Sequence, residues 1–264
     1  MGPALRNKKL IVFDLDGTLT ETKSEMDAEM SGLIAKLLGV KKVAVIGGGK
    51  YELFKSQFIN RLKCPKCLLG NLSLFPTTST SFYRYESGWK KVYAHALSSG
   101  ERKRIKRAFA RALKIIKYVK PKKTYGKVIE DRGTQVTFSA LGQDVVSVLG
   151  KKGVALKKKW RDENTDVKLK LAKTLQKLLP DLEVRAAGYT SIDVTKKGID
   201  KAYGIRQIEK HLHIPVKDMV FVGDALFPGG NDYAARRTGV KCLAVSGPGE
   251  AKKIIKFLIG GRAR

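Results

Sequence analysis

Lys9-Leu10-Ile11-Val12-Phe13-Asp14-Leu15-Asp16-Gly17-Thr18-Leu19-Thr20 is the stretch that decides the fold. Leu10 to Phe13 form an uninterrupted apolar run, which reads as a strand buried on both faces. Asp14 stands at the carboxyl end of that strand, and Asp16 follows two residues later. Gly17 permits a sharp turn because it has no Cβ to clash at positive φ. Open α/β sheets bind ligands at the carboxyl ends of their strands. Two carboxylates at such a tip repel each other unless a cation or a shared proton relieves them. The spacing therefore points to a hard-metal site in which one carboxylate is left to attack.

The rest of the chain sets bounds on this reading. A length of 264 residues with 43% hydrophobic content suits one or two domains with a sizeable core. No apolar run approaches the ~18–20 residues of a membrane span. The N-terminal residues carry no leader signature, so the reading expects a cytoplasmic protein without a membrane partner. Net charge is +29, which favours anionic partners. Residues 101–123 hold eleven Lys or Arg and one Glu. Ile105, Phe109, Ala112, Leu113 and Ile116 recur there at helical spacing, which sends the charges to the opposite face. Nucleic acid is a possible partner for that face, although no helix-turn-helix, zinc-finger or RNP-like pattern accompanies it. Cys64 and Cys67 have C-x-x-C spacing, but a structural zinc site needs a second pair, and Cys242 is the only other cysteine.

In order, the chain reads as a helix from Glu25 to Leu38 capped by Ser24, a strand from Lys42 to Ile46, and a helix to about Leu62. A third strand, Leu72 to Phe75, precedes a hairpin about Ser87-Gly88. Gly47-Gly48-Gly49-Lys50 is not a Walker A loop, because Ala44 and Tyr51 stand where its first Gly and its Ser or Thr belong. A glycine-rich turn still offers the Gly48 and Gly49 N–H groups, and the Lys50 side chain, to a phosphate. The basic helix runs from Ser99 to Tyr118. Strands at 127–130 and 135–139, a helix at 162–179 and a hairpin about Gly188 follow. Strand pairs with helices form an α+β layer that interrupts the βαβ pattern. The expected architecture is α/β: a doubly wound, Rossmann-like parallel sheet core, residues 1–85 and 196–264, with an inserted α+β cap domain at 86–195.

The returning half adds two parts. Lys201, with Lys197 as competitor, opens a helix and can neutralise phosphoryl charge as a point cation. Met219 to Val222 then lead into Gly223-Asp224-Ala225-Leu226-Phe227-Pro228-Gly229-Gly230-Asn231-Asp232, a second acidic strand tip. Mg²⁺ prefers an octahedron of hard oxygens, which Asp14, Asp224 and either Asn231 or Asp232 can help to supply. His211 and His213 lie two apart on a helix and face different directions, so they make no metal pair.

DLDGTLT resembles the first motif of the haloacid dehalogenase (HAD) superfamily of phosphohydrolases. That resemblance implies Mg²⁺-dependent phosphoryl transfer through an aspartyl-phosphate on Asp14. Asp16 would act as acid and base, the Asp16 carbonyl as a metal ligand, and Lys201 as the third-motif lysine. The second-motif hydroxyl is missing at Gly49. GDALFPGGND, with Ile129-Glu130-Asp131-Arg132-Gly133 and Ser191-Ile192-Asp193-Val194, resembles the phosphomannomutase-like branch, which includes phosphosugar phosphatases. This implies that Arg132 binds a phosphate and that Ser191 and Asp193 bind sugar hydroxyls; cap dimerisation, as a homodimer, is also a property of that branch. Gln143 and Gly150 stand where the pattern carries further arginines. With that clamp depleted, the expected activity is Mg²⁺-dependent hydrolysis of a small phosphorylated substrate, most naturally a phosphosugar. A phosphosugar mutase is the first alternative, and a nucleic-acid-binding protein is the alternative of another class.

Overall fold

The computed structural model describes residues 2–260. The chain starts with β1 (Leu10–Asp14), α1 (Ala28–Leu38), β2 (Lys42–Ile46), α2 (Tyr51–Gln57), β3 (Leu72–Phe75), β4 (Ser81–Tyr85) and β5 (Trp89–Ala94). Next come α3 (Ser99–Ile115), β6 (Ile129–Asp131), β7 (Val136–Ser139), α4 (Val145–Leu149), α5 (Lys151–Leu178), β8 (Leu182–Ala187) and β9 (Ser191–Lys196). It finishes with α6 (Lys201–Leu212), β10 (Met219–Gly223), β11 (Lys241–Ala244) and α7 (Pro248–Ile259). Two compact units result: one holds the residues up to Tyr93 together with those from Asp200, and the other spans Ala94–Ile199.

The first unit is built on a seven-stranded sheet ordered β11-β10-β1-β2-β3-β4-β5. The strands from β11 to β3 run parallel, and β4 joins antiparallel. Leu10, Ile11, Val12 and Phe13 are fully buried, as an apolar run covered on both faces requires. Burying each such side chain contributes about 1.5–3 kcal/mol. One face packs Ile11, Phe13, Val43, Val45, Val220 and Val222 with α1 and α7. The other packs Leu10, Val12, Ala44, Ile46 and Phe221 with Ile205 and Ile208 of α6.

Several expected boundaries shift for local reasons. The first helix begins at Ala28 rather than Glu25, because the Met26 N–H donates to the Gln57 carbonyl and holds that segment extended. Asp27, not Ser24, is the cap; its Oδ1 accepts the Met30 N–H at 2.8 Å, and Lys252 of α7 binds the same carboxylate. The helix after Lys50 ends at Gln57, with a 3₁₀ turn following, short of Leu62. The hairpin arm β5 extends the core sheet, so the boundary expected at residue 86 falls inside that sheet. His211 packs its ring on Phe82 and Tyr93, with centroids 5.3 and 5.7 Å away, and His213 caps α6 in a left-handed conformation.

The second unit is a four-stranded antiparallel sheet, β6-β7-β9-β8, with helices on one face. Val136, Phe138, Ile192 and Val194 alternate onto the side that meets Ile105 and Phe109 of α3 and Leu171 and Leu175 of α5. The helix expected at 162–179 starts earlier, at Lys151, and breaks at Asn164, near the expected start. Helix α4 was not expected, since a short Val-rich run is indistinguishable from a strand by periodicity. Gly150 separates α4 from α5 at φ 54°, a conformation that favours glycine.

Candidate active site

Parallel pairing brings the tips of three strands to one edge of the core sheet. Phe13 pairs with Val222 and Asp14 with Ile46, so Asp14, the Gly47–Lys50 loop and the loop from Gly223 share that edge. Asp14 is 3% exposed. The Lys201 ammonium, fully buried at the start of α6, donates to Asp14 Oδ1 and to Asp232 Oδ1. Asp200 caps that helix by accepting the Tyr203 N–H at 2.9 Å, which fixes where Lys201 projects. Asp232 is fully buried, and its second oxygen accepts the Ala225 N–H at 2.9 Å.

Asp14, Asp224 and Asp232 each offer a carboxylate oxygen within 4.8 Å of the others. Three acids face one ammonium, which leaves a buried surplus of negative charge. Burial pushes the Asp14 carboxyl well above the usual carboxylate range; Lys201 opposes this, while Asp232 and Asp224 reinforce it. Burial and Asp232 push Asp224 up to about 6 against the pull of Lys201. Burial disfavours the charged form of Lys201, yet Asp14 and Asp232 hold its pKa above the ordinary lysine value. A divalent cation with oxygen preference fits this donor set, because it relieves the surplus that raises the carboxyls.

The other expected residues of the core occupy distinct places. Asp16 is half-buried, accepts the Lys23 N–H, and adds to the charge felt by Asp224, but it is outside the acidic trio. Asn231 lies half-buried beside Asp232 in the loop. Gly17 has φ 92°, and a Cβ there would lie 2.5 Å from Asp224 Oδ2, so the glycine admits the second strand tip. Gly47 and Gly49 accept the Thr78 and Thr77 N–H groups through their carbonyls at 2.9 and 2.8 Å, which places the Gly48–Lys50 segment against the Pro76–Ser81 turn. In that turn Thr77, Thr78 and Ser79 are all left-handed, with φ of 50°, 56° and 69°. Non-glycine residues hold such angles only where the surroundings enforce them, and strain of this kind collects at functional sites. A polar composition alone marks the turn but not its conformation.

The remaining expected residues sit in the second unit, on the face of its sheet away from α3 and α5. Strand register sets Glu130, Thr137, Asp193 and Arg185 side by side across β6, β7, β9 and β8. The Thr137 hydroxyl donates to Asp193 Oδ1 at 2.7 Å. Ser191 opens β9 on the same face, two residues from Asp193. Arg132 donates through Nε to Glu130 at 2.8 Å and through a terminal nitrogen to Gln143 Oε1 at 3.1 Å. A second arginine at position 143 would set two cations together, whereas glutamine accepts a hydrogen bond. Gly150 occupies a backbone position where an arginine would be strained. Arg185 escaped the sequence reading. It lies directly opposite Asp193, pairs with Glu183 at 3.2 Å, and donates to the Ile199 carbonyl. Strand alternation from Asp193 across the hairpin was the signal available for it.

Among solved structures, the fold resembles IMP-nucleotidase of Plasmodium falciparum with IMP bound, at TM-score 0.70 and 17% identity, covering 96% of this chain and 68% of that one. It also resembles trehalose-6-phosphate phosphatase of Aspergillus fumigatus, at TM-score 0.55 and 15% identity, covering 97% and 95%. Phosphomannomutase of Encephalitozoon cuniculi is 25% identical over 232 residues, spanning 86% of this chain and 83% of its own. Phosphomannomutase of Saccharomyces cerevisiae is 26% identical over 228 residues, 85% and 83% of the two chains. The family model described as eukaryotic phosphomannomutase matches residues 30–259. With the acidic strand tip, the buried lysine and the inserted α+β unit, this match places the chain in the eukaryotic phosphomannomutase family of the HAD superfamily.

Proposed function

We propose that this protein is a phosphosugar mutase that moves a phosphoryl group through an aspartyl-phosphate on Asp14. The observation that carries the chemistry is the buried Asp14 at the end of β1, with Lys201 on one oxygen and two further acids beside it. Membership of the phosphomannomutase family favours transfer to a second sugar hydroxyl over transfer to water.

The Asp14 carboxylate oxygen attacks phosphorus, and the bond from phosphorus to the sugar oxygen breaks. Asp16 protonates the departing oxygen. In the return step a different sugar hydroxyl attacks the aspartyl-phosphate, gives its proton to Asp16 and frees Asp14. Lys201 holds the attacking carboxylate in place and offsets phosphoryl charge. Asp14, Asp224 and Asp232, with Asn231 and the Asp16 carbonyl, would hold Mg²⁺, which supplies charge neutralisation and in-line orientation when bound. Gly48, Gly49 and Lys50 receive the phosphoryl oxygens. The polar sheet face of the second unit is a grip of its own: Arg132 and Arg185 suit a phosphate, and Ser191 and Asp193 suit sugar hydroxyls.

Hydrolysis, the main expectation from the sequence, is a second reading. It is favoured by one observation: Gln143 and Gly150 leave Arg132 and Arg185 as the arginines of a sparse phosphate grip. Incubation of mannose 1-phosphate with the enzyme, Mg²⁺ and a hexose bisphosphate activator separates the two. Accumulation of the 6-phosphate supports the mutase, and stoichiometric release of inorganic phosphate supports hydrolysis. Neither product from any hexose phosphate defeats both readings.

A further inference from the structure

The reaction leaves the basic helix α3 unused. Its cations fall into two sets. Arg102 and Lys106 share Asp131, and Arg104 pairs with Asp181, so these flanking cations each have an acidic partner. Lys103, Arg107, Arg111 and Lys114 form the second set. They are exposed and make no ion pair among the described residues. At 100° per residue these positions fall within about 80° of arc. The buried residues Ile105, Ala108, Phe109 and Ala112 occupy the opposite side. The result is a straight ridge of four cations over about 16 Å. No acid interrupts it, and Lys117, Lys120, Lys122 and Lys123 follow it in the sequence.

We infer that this ridge is a docking surface for the phosphodiester backbone of a nucleic-acid duplex. Charge complementarity selects this occupant. A duplex carries about one negative charge per 1.7 Å of axis with both strands counted, so a stretch as long as the ridge holds roughly ten phosphates, of which the ridge meets those on its own side. The large apolar side chains exposed in this segment, Ile115 and Val119, are aliphatic. No exposed aromatic ring is there for unstacked bases, which selects a duplex over a single strand. Ala110 borders the ridge and no apolar residue lies within its arc, whereas a membrane-inserting face would need a broad apolar stripe. Binding would be sequence-independent, since backbone contacts position without specifying.

The test is fluorescence anisotropy of labelled 20-base-pair DNA and RNA duplexes between about 50 and 300 mM KCl, conditions over which backbone contacts weaken steeply. The combined variant K103Q/R107Q/R111Q/K114Q should lower the slope of log K against log salt by about 3.6, which is ~0.9 per lost contact. R104Q/K106Q, which removes cations already held by Asp181 and Asp131, should change the slope far less than the ridge variant does. Comparable loss on DNA and RNA identifies the shared backbone; loss on one alone names that duplex as the partner. All variants should retain phosphosugar turnover and melting temperature. If the quadruple variant is poorly folded, R107Q/R111Q should lower the slope by about 1.8. Failure of the parent to bind either duplex overturns the inference. So does an unchanged slope in the ridge variants, or binding confined to phosphatidylglycerol vesicles.

Discussion

The Lys201 ammonium rests on Asp14 Oδ1, a residue 187 positions earlier in the chain, and both groups are buried. The same ammonium binds Asp232, so one cation organises two strand tips. Replacing Lys201 by Met would leave buried carboxylates without their counter-charge. Breaking a buried pair from one side costs about 3–5 kcal/mol. Denaturant unfolding should show a loss of that size, and phosphosugar turnover should vanish. Lys201→Arg should not restore turnover, since the planar fork cannot replace a point cation in this space.

The acidic trio predicts a pH-dependent affinity for Mg²⁺. Asp224 is raised to about 6, so below that pH a proton occupies the carboxylate that the cation requires. Affinity should therefore fall as pH drops through about 6, by up to tenfold per unit for this one proton. Calorimetric titration of Mg²⁺ without substrate at several pH values from 5 to 8 checks this, with a flat profile as the contrary result. Asp224→Asn should weaken binding and remove the step near pH 6.

Arg185 predicts a separation of binding from chemistry. Hydrogen bonds to charged groups are worth about 1.5–3 kcal/mol, so Arg185→Ser should raise KM for a phosphosugar bisphosphate roughly ten- to a hundredfold. Hydrolysis of p-nitrophenyl phosphate, which has no distal phosphate, should be nearly unchanged. Equal damage to both substrates would assign Arg185 a purely structural role beside Glu183.

Gly17 predicts a cost at the turn between the two aspartates. Its φ of 92° is unfavourable for any side chain, and a Cβ would press on Asp224 Oδ2. Gly17→Ala should lower stability by about 1–3 kcal/mol. It should also weaken Mg²⁺ binding, because Asp224 must move. An unchanged melting temperature and metal affinity would contradict the close approach of the two tips.

What the residues reveal in advance depends on how locally each feature is encoded. Asp14, Lys201, Asp224 and Asp232 stand in short motifs at strand ends or a helix start, so four residues that meet only in three dimensions were each visible one at a time. The parallel core was legible because Leu10–Phe13 and Met219–Val222 are apolar without interruption. Arg185 was not, because a single arginine in a half-buried strand gains meaning only from its register opposite Asp193. The left-handed run Thr77–Ser79 was hidden for a different reason: L residues rarely adopt that conformation, and tertiary contacts with Gly47 and Gly49 impose it. The start of α5 lies beside two glycines, Gly150 and Gly153, a residue type that disfavours helix interiors. Gly153 instead lets the helix pass close to the Val145 carbonyl.

The central claim is that Asp14 carries the phosphoryl group. Rapid acid quench of the enzyme with Mg²⁺ and a radiolabelled hexose bisphosphate, followed by peptide mapping, addresses it directly. The account predicts a hydroxylamine-sensitive acyl-phosphate on the peptide containing Asp14, absent from Asp14→Asn. Label on any other residue, or full phosphosugar turnover by Asp14→Asn, would contradict it.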